Sequence, residues 1–133
     1  MLVNMSDKPI VLHVTAKIFD LLKNGQKTCE FRPQTRYYMQ RLEKARDYLA
    51  LCHSGPYGYM NGGLFIDFRK AYLPKESHGS WFFAKVRDIS LVKFDNIDPM
   101  NKELIKQVYG KQFAFKLCLP FNDVLWYKIE LEV

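Results

Sequence analysis

One eight-residue segment places three charged side chains of complementary chemistry close together. It runs from Gly25 to Arg32 (GQKTCEFR) and holds an ammonium at Lys27, a carboxyl at Glu30 and a guanidinium at Arg32. Two cations can clamp a phosphate, and an ammonium and a carboxylate can act as acid and base in hydrolysis. Because strand side chains alternate between faces, a strand over this segment would place Thr28, Glu30 and Arg32 together.

The simplest alternative for this segment is an ordinary ion pair on a half-exposed strand. Exposed pairs contribute only about 0–1 kcal/mol to stability. In both interpretations Cys29 and Phe31 share the opposite face of the strand, which we expect to pack on the core. Spacing alone leaves both interpretations open.

The segment lies between elements that would position it. Ile10–Val14 predicts a strand, and Thr15 is a suitable N-cap for a short amphipathic helix. Asn24-Gly25 is expected to end that helix, because glycine adopts the left-handed C-cap conformation at little cost. Pro33 should end the second strand, since proline has no N–H for the sheet.

The rest of the chain predicts mainly strands. A basic and aromatic helix is expected from about Tyr37 to Arg46, followed by a third strand at Tyr48–His53. The later predicted elements are a glycine-rich loop at Ser54–Gly63, a strand at Leu64–Tyr72, a loop at Pro74–Gly79, a strand at Trp81–Phe94 with a bulge near Asp88, a helix from Asp98-Pro99 to Val108 that Gly110 ends, and closing strands at Phe113–Leu119 and Val124–Val133. This order favours an α+β fold with a small mixed β-barrel and two or three flanking helices.

The spacing Gly-x-Lys-x-x-Glu-x-Arg after a short amphipathic helix resembles the motif of the ASCH domain family, which is related to the PUA domain. The resemblance covers roughly residues 10 to 53, and Arg36–Leu42 (RYYMQRL) is similar to a Tyr- and Arg-containing segment of single-domain phage and bacterial members. It implies a PUA-like barrel whose cleft is lined by Lys27, Glu30 and Arg32 and binds RNA, a nucleotide or a modified nucleoside.

A basic and aromatic surface beside the motif favours a polyanion independently. The segment Lys27–Arg46 has six basic and two acidic residues, so it carries +4 of the chain's net charge of +6. Arg36 and Arg41 could contact phosphates while Tyr37 stacks on a base, as in proteins that bind single strands. The alternative is a solvated helix face whose tyrosines pack against the barrel.

Two further candidate ligand-binding residues lie outside this segment. Tyr57 belongs to the loop Ser54–Gly63, whose glycines would let the backbone approach a ligand; a hairpin loop without function is the alternative. His13 ends the first strand and could face the cleft or simply terminate the strand. No His or Cys spacing indicates a metal site, and no cofactor is expected.

Three functions remain open at this point. Binding of RNA or a nucleotide is the leading hypothesis; a hydrolase and a protein-interaction module are the alternatives. One branch of the ASCH family comprises amidohydrolases that deacetylate acetylcytidine, and their lysine corresponds to Lys27. Glu30 stands where that branch has a threonine, and their distant glutamate has no clear counterpart. In a ribonuclease, Lys27 and Glu30 would be acid and base, with Arg32 as the phosphate clamp.

Composition limits the class of protein. The chain has 133 residues, 48% hydrophobic and 26% charged, which predicts one globular domain over residues 1–133 with a flexible segment at residues 1–8. Three widely spaced cysteines predict reduced thiols rather than a disulfide framework. We see no signal peptide and no apolar run of roughly 20 residues. A cytoplasmic protein without a membrane partner is expected, and its oligomeric state stays open.

Overall fold

A computed structural model describes residues 10–54, 63–71, 80–110 and 120–132 and shows a mixed α+β fold. The described elements are β1 (Ile10–Val14), α1 (Ala16–Lys23), β2 (Cys29–Pro33), α2 (Arg36–Ser54), β3 (Leu64–Lys70), β4 (Trp81–Lys93), α3 (Pro99–Tyr109) and β5 (Leu125–Leu131), with short 3-10 helices at Phe94–Asn96 and Phe121–Asp123. None of these helices has the combination of length and apolarity needed to cross a bilayer.

The five strands form one curled sheet in the order β1-β3-β4-β5-β2. β1 pairs with β3 in parallel, and the other neighbours are antiparallel. The long β4 pairs with β3 through its first half and with β5 through its second half, and its register shifts between Val86 and Asp88. The bulge predicted near Asp88 is thus confirmed, and because a bulge bends a strand it curls the sheet.

The curled sheet is a half-barrel over the described residues. β1 and β2 are its two edges, because each has only one neighbouring strand in this part of the chain. The predicted closing strand at Phe113–Leu119 lies outside the described residues, as do the predicted loops at 55–62 and 74–79. The coarser prediction of a barrel-like α+β fold with three helices therefore holds, and full closure stays a prediction.

The concave face of the half-barrel carries the main core. Alternate residues of four strands point into it and meet apolar stripes of α1 and α2. The main core contains Ile10, Leu12, Val14, Ile18, Phe19, Leu22, Leu42, Ala45, Tyr48, Leu49, Leu64, Ile66, Phe68, Val86, Ile89, Leu104, Tyr127, Ile129 and Leu131. Burial of this apolar surface is the chief stabilising contribution to the fold.

The local signals around α1 are confirmed. β1 spans the predicted residues, and the Oγ1 of Thr15 accepts a hydrogen bond from the backbone N–H of Ile18 at 3.3 Å. Asn24 caps the C-terminus of the helix, and Gly25 follows with φ of 81°. A residue with a Cβ would be strained at that φ, so Gly25 allows the sharp turn into β2.

The helix predicted from about Tyr37 to Arg46 is confirmed, but the third strand predicted at Tyr48–His53 is wrong. Residues 36–54 form the single helix α2, and Leu42, Ala45, Tyr48 and Leu49 are all buried along one side of it. Their spacing is helical, with a period of about 3.6 residues. Tyr48 and its apolar neighbours have strand-like local propensity, but packing of this stripe on the concave face overrides it.

The late helix was predicted correctly. Asp98 caps α3 by accepting from the backbone N–H of Asn101 at 3.1 Å, Pro99 occupies the first turn, and Gly110 follows the last residue. α3 contributes Leu104 to the main core, but it also joins a smaller core, whose strand residues lie on the opposite face of the sheet. That smaller core contains Phe31, Phe94, Ile97, Ile105, Tyr109 and Trp126. The helix therefore packs beside the edge strand β2, which bears the charged motif.

Candidate functional site

The three charged groups of the motif converge on one carboxylate. Glu30 Oε1 lies 3.2 Å from Lys27 Nζ, and Glu30 Oε2 accepts from Arg32 Nη2 at 2.8 Å and from Arg32 Nε at 3.2 Å. Lys27 Nζ also donates to the backbone carbonyl of Cys29. The ammonium, the carboxylate and the guanidinium thus form one cluster, which we call the charged triad.

The triad is buried, which excludes the alternative of a surface ion pair. The exposed fractions are 3% for Lys27, 5% for Glu30 and 7% for Arg32. Strand alternation holds, but the faces differ from the prediction: Glu30 and Arg32 share the face of the main core with their strand partners Ile129 and Tyr127. Phe31 packs in the smaller core instead. A buried charge is costly unless it is paired and hydrogen-bonded, so this cluster must stay intact in the folded protein.

Arg32 also connects the two edges of the half-barrel. Its Nη2 donates to the backbone carbonyl of His13 at the end of β1 at 2.9 Å, and its Nη1 donates to the Tyr38 hydroxyl at 2.8 Å. β1 and β2 are at opposite ends of the strand order and do not pair with each other in the described sheet. The Arg32 side chain therefore supplies a hydrogen bond between these two edge strands. Four of the five guanidinium N–H groups are used in these contacts and those to Glu30.

The charge states of the triad follow from this geometry. Burial raises the pKa of Glu30, but the charges of Lys27 and Arg32 and their hydrogen bonds lower it by more, so the pKa is below its ordinary value. Burial lowers the pKa of Arg32, but the charge of Glu30 and the interactions with Tyr109 and Tyr38 together raise it by more. Glu30 is therefore a carboxylate and Arg32 a cation at neutral pH.

The Glu30 carboxylate predicts acid-sensitive stability. Its pKa is lowered in the folded state from an ordinary value of 4.5, so its stabilisation is present above that value and disappears as the pH falls through the folded pKa. Denaturation midpoints of the wild type and of Glu30→Gln, from about pH 7 to about pH 3, should converge at acid pH. A constant gap between the two proteins at every pH would contradict this assignment.

A pocket of about 350 Å³ opens beside the triad. It lies where the end of β1, the N-terminus of α1, β2 and α3 meet. Its lining residues are His13, Val14, Thr15, Ile18, Lys27, Glu30, Phe31, Arg32, Ala71, Asn101, Leu104, Ile105, Gln107, Val108 and Tyr109. Its volume falls within the usual range of ligand pockets, about 300–1,000 Å³, and it combines apolar walls with a few polar groups.

The structure divides the predicted ligand-binding residues into two groups. Lys27, Glu30, Arg32 and His13 all line the pocket, although the His13 side chain is exposed. The second group is an exposed basic surface at the start of α2, formed by Arg36, Tyr37 and Arg41. Tyr57 lies outside the described residues.

The surface group is preorganised around an aromatic ring. The guanidinium of Arg41 sits 3.7 Å from the centre of the Tyr37 ring and donates to the Tyr37 carbonyl at 3.0 Å. Tyr37 is 54% exposed, whereas its neighbour Tyr38 is partly buried and reaches Arg32. The alternative, in which both tyrosines pack against the barrel, is therefore wrong for Tyr37. Tyr38 links this surface to the triad.

The pocket residues on α3 were not predicted from the sequence, and two of them, Asn101 and Tyr109, are buried and polar. Tyr109 is 7% exposed; burial, above all, and a hydrogen bond with Tyr38 raise its pKa, while the charge of Arg32 lowers it by less. Its hydroxyl therefore stays protonated at neutral pH. Asn101 is 6% exposed, and its Nδ2 donates to Asp98 Oδ1 at 2.8 Å. A buried asparagine within an apolar helical stripe is the sequence signal that could have identified it.

Asp98 fixes the orientation of that asparagine amide. Burial raises the pKa of Asp98, but its hydrogen bonds with Asn101, together with the charge of Lys27, hold it below the ordinary value. An ionised carboxylate only accepts hydrogen bonds, so the amide nitrogen must face Asp98. The carbonyl oxygen, Asn101 Oδ1, is then directed elsewhere; it is buried and has no hydrogen-bond partner.

Comparisons with protein-family models, curated proteins and solved structures found no match to this chain. The resemblance to the ASCH family therefore stays a prediction based on the motif. In the described parts of the chain, no group of three or more His, Cys, Asp or Glu side chains is placed to hold a metal ion. Cys29 is partly buried and forms no disulfide; the side chains of the other two cysteines are outside the described set.

Proposed function

We propose that this chain is an ASCH-like module, PUA-like in fold, that binds RNA or a nucleotide, with one nucleotide seated in the pocket beside the charged triad. The observation that carries the proposal is the triad itself: two buried cations share one buried carboxylate at the wall of an open pocket. The sum of these three charges is +1. An anionic ligand would compensate that charge in a site where the dielectric constant is low.

The donors of the pocket support an anion more specifically. Within the described residues, the contacts above leave one N–H of Lys27 and one N–H of Arg32 for a ligand. The N-terminal end of α1, at Thr15 and Ile18, lines the same pocket and adds the positive end of a helix dipole. Besides Glu30, the carboxylate of Asp98 also interacts with Lys27. Asp98 is exposed, so water screens its repulsion of an anionic ligand.

The exposed surface formed by Arg36, Tyr37 and Arg41 extends this site. Arg41 covers one face of the exposed Tyr37 ring, and base stacking on such rings contributes about 1–3 kcal/mol per base. Tyr38 lies next in the chain and contacts Arg32. A single strand could thus place one nucleotide in the pocket and a neighbouring base on Tyr37.

We place binding ahead of hydrolysis because the triad is poorly arranged for acid–base chemistry. The Lys27 ammonium is held by the Cys29 carbonyl and by Glu30. The Glu30 carboxylate accepts from both cations, and its lowered pKa makes it a weak base. The same arrangement suits a fixed, charged wall for ligand binding.

The test is binding of short single-stranded RNA by fluorescence anisotropy. An oligonucleotide of about ten nucleotides should bind at about 50 mM salt. Its affinity should fall steeply toward about 200 mM, because phosphate contacts release counterions. Contacts with about four cations would give a salt slope near −3 in a log–log plot. Absence of binding at low salt, both to RNA and to mononucleotides, would exclude this function.

Blocking the pocket should weaken binding without unfolding the protein. Gln107 is exposed and lines the pocket, so Gln107→Trp fills the entrance. We expect the Kd for RNA to rise by about tenfold, which is about 1.4 kcal/mol. Met100→Trp is the matched control, since Met100 is exposed on the same helix and does not line the pocket. Equal affinities of the two variants would show that the nucleotide binds elsewhere.

A further inference from the structure

The wall of the pocket contains a buried acceptor with no partner. Among the described residues, none donates a hydrogen bond to Asn101 Oδ1, although Asn101 is 94% buried. Its amide nitrogen and its backbone N–H are both bonded to Asp98, which caps α3. The capping role therefore accounts for two polar atoms of this residue and leaves the third unexplained.

An unmatched buried acceptor is uncommon in folded proteins, because its lost hydration is not compensated. Asn101 belongs to the helical stripe that continues through Leu104, Ile105 and Val108, and all four residues line the pocket. An apolar residue would pack at this position without that cost. A hydrogen-bond donor supplied from the pocket would explain why a polar residue stands there.

We infer that Asn101 accepts a hydrogen bond from an N–H of the ligand, so that the pocket binds a nucleobase through an N–H on its edge and rejects a base whose edge N–H groups are methylated. The inference rests on the proposed function, because it assigns the base of that nucleotide to the α3 wall. The triad supplies donors for the acceptors of the same ligand, and Asn101 of α3 supplies a buried acceptor. The pocket thus distinguishes donors from acceptors on its ligand.

The alternatives within the pocket are less suited to this role. Glu30 is saturated by Lys27 and Arg32, and the Tyr109 hydroxyl is bonded to Tyr38. Gln107 is exposed, so water satisfies its amide. Asn101 is the lining residue whose acceptor is both buried and unmatched.

The experiment measures binding of the four ribonucleoside 5′-monophosphates by calorimetry, each beside its N-methylated form. Methylation removes every N–H of the base edge: the probes are the monophosphates of N6,N6-dimethyladenosine, N4,N4-dimethylcytidine, 1,N2,N2-trimethylguanosine and 3-methyluridine. For the preferred base, methylation should weaken binding to the wild type by about tenfold or more, because a buried acceptor then stays unpaired. In Asn101→Leu the methylated and unmethylated forms should bind within about twofold of each other.

The control separates specificity from the capping of α3. Asp98→Ser keeps an N-cap hydroxyl but removes the carboxylate that holds the Asn101 amide nitrogen. Because the cap is kept while the amide is released, stability should fall only slightly and the discrimination against methylated bases should weaken. Unchanged discrimination in Asp98→Ser would contradict an Asn101 acceptor that Asp98 orients.

The outcomes distinguish this inference from the proposed function. If the wild type binds none of the nucleotides or RNA, the proposed function fails. If it binds the methylated and unmethylated forms of every base equally, binding stands and the role of Asn101 is overturned, for instance because an ordered water satisfies Oδ1. The comparison of ligands uses the wild-type chain, so it remains decisive even if Asn101→Leu does not fold.

Discussion

Replacing Glu30 by glutamine should lower the free energy of unfolding by about 3–5 kcal/mol, the usual cost of removing one partner from a buried ion pair. The variant leaves the charges of Lys27 and Arg32 in a site where both side chains are at least nine-tenths buried. Glutamine is nearly isosteric with glutamate, so lost packing contributes little. Urea denaturation at neutral pH, followed by circular dichroism, measures the effect.

The matched control for this prediction is Glu132→Gln. Glu132 lies 3.7 Å from Lys85, and both side chains are more than two-fifths exposed. An exposed pair of this kind contributes about 0–1 kcal/mol, and less at high salt. Similar losses in the two variants would mean that the triad is hydrated in solution rather than buried.

Arg32→Lys should also be strongly destabilising, although the positive charge is kept. A lysine ammonium can restore the contact with Glu30 but not the simultaneous bonds to the Tyr38 hydroxyl and the His13 carbonyl, because it lacks the planar fork of the guanidinium. We expect a loss of about 2–4 kcal/mol from the buried groups left unpaired. Thermal and urea denaturation provide the measurement.

The control for Arg32→Lys is the same substitution at an exposed position. Arg87 donates to Glu130 at 2.8 Å, but its side chain is 64% exposed, so Arg87→Lys should change stability by less than about 0.5 kcal/mol. Hydrogen exchange adds a second readout: in Arg32→Lys, amides of β1 should lose protection more than those of β4, which is held on both sides. Unchanged exchange in β1 would contradict the bridging role of Arg32.

Local signals in the sequence were sufficient for several elements. Thr15 and Asp98 each cap a helix through a side-chain oxygen, and Gly25 supplies a positive φ that favours glycine. The bulge in β4 was also predicted at the correct place. These features depend on residues within a few positions of each other, so they can be recognised without the tertiary structure.

The course of α2 could not be read from local signals. The predicted strand Tyr48–His53 is the last part of that helix, because Leu42, Ala45 and Leu49 form one apolar stripe on the concave face. The strand-like propensity near Tyr48 contributes less free energy than the burial of that apolar stripe does. The choice depended on residues of other elements, which no local window contains.

The sequence by itself determined the members of the charged triad, because their spacing on one short strand after a tight turn places Lys27, Glu30 and Arg32 together. It also determined the caps of α1 and α3 and the α+β class. Only the tertiary structure decided that the triad is buried and that Arg32 reaches across to β1. It alone brought Asn101 and Tyr109 to the same pocket, because contacts between distant segments arise when the half-barrel and its helices bury their apolar surface together.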